Sequence, residues 1–102
     1  MRYMLVLQWP ASSIEEYDAM IEIENQLIEV VPEGDEIDGH DAGAGEVNIF
    51  IETDDPQRTF DQIRPALSQR GAWSGIRVAY RNVEDGPYTI LWPPNLQHFS
   101  VA

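Results

Sequence analysis

Glu46-Val47-Asn48-Ile49-Phe50-Ile51-Glu52-Thr53, followed at once by Asp54-Asp55-Pro56, decides the fold. In the first eight residues Val47, Ile49 and Ile51 share one face and Asn48, Phe50 and Glu52 the other, the period-two alternation of a strand with one face on a core. Thr53 to Asp55 supply candidate cap oxygens, and Pro56 suits the first turn of a helix, where its missing N–H costs nothing. A helix is expected next, with Phe60, Ile63, Ala66 and Leu67 as its apolar stripe and Gly71 as its C-terminal cap. Pro65 lies inside this stripe and predicts a kink or an early end, because an internal proline removes a hydrogen bond and crowds the preceding turn.

Upstream, Ala42 to Gly45 reads as a flexible turn, preceded by a weak strand from Glu36 to Asp41 whose only large apolar residue is Ile37. Pro32-Glu33-Gly34 ends an amphipathic helix expected over residues 13–31, with Ile14, Tyr17, Met20, Ile21, Leu27, Ile28 and Val31 at three- and four-residue steps. Ser12 and Ser13 each stand three residues before a glutamate, Glu15 and Glu16, the capping-box spacing. Residues 2–9 are apolar on both faces, as in a central strand, and Pro10 stops them.

Downstream, residues 74–81 alternate Ile76, Val78 and Tyr80 against Arg77, Ala79 and Arg81. Residues 88–92 alternate Tyr88, Ile90 and Trp92 against Thr89 and Leu91, after a turn at Glu84-Asp85-Gly86-Pro87. The order is β-α-β-β-α-β with an extra C-terminal strand, which predicts one α+β domain over residues 1–102: a ferredoxin-like fold with two helices on one face of an antiparallel sheet. Met4, Val6, Phe50, Ala79 and Leu91 are left for the other face, too apolar for open water. Either the tail, through Leu96 and Phe99, or a second copy of the chain in a homodimer is expected to cover them.

The 102 residues suit one core, and 43% of them are hydrophobic. There is no cysteine, so a disulfide framework, a thiolate metal site and a cysteine nucleophile are all excluded. The apolar run before Trp9-Pro10 is too short for a signal peptide or a membrane span, and a cytoplasmic protein with no membrane partner is expected. The net charge is −12, and all six basic residues are arginine. Fifteen carboxylates and no Arg or Lys lie between Tyr3 and Gln57, whereas five of the arginines follow from Arg58 on. Such a front half repels nucleic-acid phosphates and steers a basic protein toward itself. Nucleic acid is therefore not an expected partner, and a basic protein is.

Two sets of candidate residues emerge. Glu33, Asp35, Glu36, Asp38 and Asp41 bracket the weak strand, either as a charged edge that resists aggregation or as a docking face for a basic partner. Asp38, His40, Asp41 and Glu46 combine imidazole with carboxylates, the donor types for a divalent metal or for acid/base work, against the plain reading of a polar hairpin. The calcium-loop pattern is not met, and Gly43-Ala44-Gly45 runs into a strand rather than a helix, so it is no dinucleotide loop. His40 and His98 are the only histidines. Neither has a serine and acid to form a triad, so no catalytic residue and no cofactor are assigned. Trp9, Trp73 and Trp92, with Tyr80 and Tyr88, are expected in core packing, and Arg77 and Arg81 are placed to bind an anion or another subunit's acids.

Gly39 to Ile51, continued by Asp54-Asp55-Pro56, Thr59-Phe60 and Arg64-Pro65, is similar to a segment of small bacterial ferredoxin-like proteins, some of which resemble the regulator of ribonuclease activity B. The resemblance implies an acidic cytoplasmic protein that acts by contact with another protein, and it brings no catalytic residue. The function expected is thus a binding or regulatory domain. The alternative is a small ligand-binding protein or enzyme built as a dimeric α/β barrel, with His40 as its first residue of interest.

Overall fold

The strand-to-helix unit at the centre of the chain organises everything around it. The computed structural model describes residues 2–10, 14–43, 45–69, 75–84 and 86–101. Its elements are β1 (Tyr3–Pro10), α1 (Ile14–Val30), β2 (Glu36–Gly43), β3 (Glu46–Thr53), α2 (Pro56–Gln69), β4 (Arg77–Asn82) and β5 (Thr89–Trp92). The five strands form one sheet in the order β2-β3-β1-β4-β5, with every neighbouring pair antiparallel. Because β3 runs antiparallel to both β1 and β2, those two are parallel and each helix is a crossover spanning an intervening strand. The class is α+β, and β1 takes the central place that its two apolar faces require.

The register shows which residues make the core. Leu5 stands opposite Ile51, Leu7 opposite Ile49 and Trp9 opposite Val47. On the other flank of β1, Leu7 faces Val78 and Leu5 faces Tyr80. These side chains meet Met20 and Leu27 of α1 and Phe60, Ile63 and Leu67 of α2 in one buried cluster. Each such aliphatic contributes about 1.5–3 kcal/mol on leaving water. One face of the sheet therefore holds both helices.

The start of α2 follows the cap chemistry: Asp55 Oδ1 accepts the backbone N–H of Arg58 at 3.2 Å, and Pro56 is the first helical residue. The expected break at Pro65 does not occur, and the helix runs on to Gln69. Pro65 leaves only the carbonyl of Asp61 without a helical donor, and both residues are exposed, so water supplies the partner. Helix α1 ends where Pro32 lacks an N–H, after a last bond from Val31 N to Leu27 O of 3.0 Å. The serines expected to cap α1, together with Ala44, Gly71, Trp73 and Asp85, lie outside the described residues. None of the helices among the described residues is long and apolar enough to cross a membrane.

Two strand boundaries differ from expectation. Strand β2 continues through Ala42 and Gly43, which pair with Val47 and Glu46, so the turn is shorter than the composition implies. A bulge at Leu91 of β5, opposite the Val78–Ala79 step of β4, shifts the register: Ile90, not Leu91, stands beside Ala79, and Leu91 packs with Trp92 against the core.

The tail returns to the outer face. Gln8 is 2% exposed and Asn48 1%, although both belong to that face, and Val6 and Ala79 are wholly buried. The Gln8 amide uses its two hydrogens separately, donating to Asn48 Oδ1 at 3.0 Å and to the carbonyl of Ser100 at 2.9 Å. Phe99 then packs on Tyr88, ring centroids 4.9 Å apart. The tail thus touches this face at Gln8 and Tyr88.

Candidate binding edge

Strand β2 is an outer strand of the sheet, flanked on the helix side by α1, and both elements are acidic. Between Asp18 and Gly43 there are nine carboxylates and no Arg or Lys. Whether this charge is a feature of the molecule depends on where the arginines go.

Arg2 lies at the start of β2, where Glu36 stands opposite Glu52. Its guanidinium lies 3.2 Å from Glu52 and 3.2 Å from Asp54, and it donates to the carbonyls of Gly34 and Glu52 at 3.3 Å each. The hydrogen bond to Glu52, opposed by desolvation and reinforced by Asp54, raises its pKa above the ordinary arginine value, so its charge is fixed at all ordinary pH. Arg64 stacks over Trp92 at 4.8 Å and approaches Phe60 at 5.9 Å, and Arg81 lies 5.8 Å from the Tyr88 ring centre. Arg77 is exposed on β4, across the sheet from β2. Among the described residues Glu29, Glu33, Glu36, Asp38 and Asp41 take part in no ion pair. Arg64, Arg77 and Arg81 thus lie away from β2, whereas Arg2 sits at its start and exposed Arg58 follows the cap of α2.

The five residues of the acidic set divide by role. Glu33, Glu36, Asp38 and Asp41 are exposed. Asp35 is partly buried and accepts a hydrogen bond from the Thr59 hydroxyl of α2, and its own N–H is bound to Pro32 O at 3.1 Å. It fastens the start of β2 to α2 and is not part of the open charged surface.

The second set, Asp38, His40, Asp41 and Glu46, is not brought together as a ligand group. Neighbouring residues of a strand point to opposite faces, and the register places His40 beside Ile49 on the helix side but Asp41 beside Asn48 on the outer side. Asp38 is the extra residue of a bulge between Ile37 and Gly39. Glu46 accepts from Asn48 Nδ2 at 3.4 Å. Among the described residues no group of three or more His, Asp and Glu side chains is arranged to hold a metal ion.

His40 has a different neighbour: both carboxylate oxygens of Glu24 lie 3.0 Å from its Nδ1. Glu24 belongs to neither predicted set. Its signal is its position four residues after Met20 and three before Leu27, which puts an acid on the apolar stripe of α1, where its side chain is only 13% exposed. Next to this pair a groove of about 370 Å3 opens between α1 and β2. It is lined by Glu24 and Ile28 of α1, by Val31 and Asp35 of the connection, and by Ile37, Asp38 and Gly39 of β2.

No protein-family model, no curated protein and no solved structure matches the chain.

Proposed function

We propose that the protein is a binding or regulatory domain that acts by contact with a basic protein partner, through the edge formed by α1 and β2. The observation that carries this reading is the placement of the arginines. Arg2 lies with Glu52 and Asp54, Arg64 and Arg81 lie with aromatic rings, and Glu33, Glu36, Asp38 and Asp41 are exposed and without an ion pair among the described residues. A surface of one sign raises the encounter rate with a partner of the other and selects against partners of its own sign, nucleic acid and anionic membranes included.

The β2-β3-β1-β4 order with crossover helices after β1 and β3 supports a ferredoxin-like arrangement, with β5 added beside β4. A relation to the small bacterial ferredoxin-like proteins, and a cytoplasmic location, belong to the same reading. The dimeric α/β barrel needs the outer sheet face for its second copy, and the bond from Gln8 to Ser100 with the Phe99–Tyr88 contact favours the tail there instead.

Capture from the native host tests the reading. The immobilised chain, loaded with host lysate at low ionic strength and eluted with a salt gradient, is expected to retain a basic protein and to release it as the Debye length shortens. Retention of nothing at low ionic strength, or of acidic proteins only, overturns it.

A further inference from the structure

Ile28 keeps 59% of its surface in water, the only large hydrophobic side chain so exposed among the described residues. It lines the groove between α1 and β2, beside half-buried Val31 and Ile37. The carboxylates around this apolar patch are not equivalent. Glu24 is engaged with His40 and Asp35 with Thr59, whereas Asp38 is exposed and takes no ion pair among the described residues.

An occupant has to match both features. A small inorganic cation satisfies Asp38 and leaves Ile28 wet. A neutral apolar ligand covers Ile28 and strips water from carboxylates without returning a counter-charge, which is unfavourable. A chain segment with an aliphatic side chain beside an Arg or Lys serves both, and its backbone has the outer side of edge strand β2 to run along. The exposed arginine of β4 in a second copy of this chain does not fit the requirement. That residue, Arg77, is flanked by Ile76 and Val78, both buried in the core, so it offers the charge without the anchor.

We infer that the groove is the specificity pocket of the binding edge: it receives an aliphatic side chain of the basic partner, and Asp38 holds the adjacent cationic side chain. This rests on the basic-partner reading and adds to it a requirement that charge alone does not make.

Two labelled peptides of equal charge test it by fluorescence anisotropy against the full chain at low ionic strength, one alternating Arg with Leu and the other alternating Arg with Ser. The leucine peptide is expected to bind about tenfold tighter, the worth of one partly buried aliphatic side chain. Ile28→Ser and Asp38→Asn are each expected to remove most of that difference, Ile28→Leu to keep it, and Glu84→Gln, on the far side of the sheet, to leave it unchanged. Ile28 and Asp38 are exposed, so these variants keep the fold, as circular dichroism will show. Equal binding of both peptides, or a leucine preference that survives Ile28→Ser, overturns the groove and leaves the basic-partner reading standing. Failure of both peptides to bind overturns the two together.

Discussion

The hydroxyl of Thr59 joins three elements with one proton. The Asp55 N–H donates to Thr53 Oγ1 at 3.0 Å, the Thr53 and Thr59 hydroxyls are 2.9 Å apart, and Thr59 Oγ1 donates to Asp35. Because Thr59 spends its one proton on Asp35, Thr53 donates to Thr59, and the protons run one way along this chain, from β3 through α2 to the residue before β2. Thr53 and Thr59 are 1% and 0% exposed, so water replaces neither partner. Thr59→Val keeps the shape and removes the link, leaving the Thr53 hydroxyl and the Asp35 carboxylate short of a partner. A loss of about 1–3 kcal/mol in urea unfolding is expected. A loss below about 0.3 kcal/mol, within ordinary surface-substitution scatter, would mean that the chain of hydroxyls holds nothing.

At the scale of elements, Pro65 sits on the exposed side of α2 and the helix passes through it. Alanine there restores a backbone bond to Asp61, set against some added freedom in the unfolded chain. Pro65→Ala is expected to raise stability by about 2 kcal/mol, read as a higher urea midpoint. An unchanged or lower midpoint would show that the proline is matched to a local distortion that the alanine helix does not share. The same residue marks what the sequence conceals. Alternation in β3 and the three-four spacing in both helices report burial directly, so Val47, Ile49 and Ile51 were legible as a core face. The effect of Pro65 depends on whether the orphaned carbonyl faces water, and the β5 register depends on a bulge at Leu91 against β4; both are tertiary facts. The candidate edge was legible in the same uneven way. Its acids stand together in the chain, but the Asp35–Thr59 bond and the Glu24–His40 pair join residues far apart in sequence. An acid on an apolar helical stripe was the one local sign of the second.

Over the whole molecule, charge is sorted in part, with Arg2 kept at the start of β2 by Glu52 and Asp54. Strand β2 and helix α1 form an acidic edge, while Arg77 and Arg81 lie on β4 and Arg64 on α2 beside Trp92 of β5. Aromatic rings hold Arg64 and Arg81 at that side, which keeps two guanidinium groups from folding over onto the carboxylates. The tail touches the outer face at Gln8 and Tyr88, on the side of the sheet away from the groove. The most direct measurement is the salt dependence of association between the chain and its captured basic partner, compared for two variants of equal net charge. One carries Glu33→Gln, Glu36→Gln and Asp41→Asn; the other carries Asp54→Asn, Asp61→Asn and Glu84→Gln. The account predicts that the first variant loses most of the low-salt affinity and flattens its salt dependence, and that the second stays close to the unmodified chain. Equal losses in the two variants would contradict it, because net charge rather than the β2 edge would then be what the partner reads.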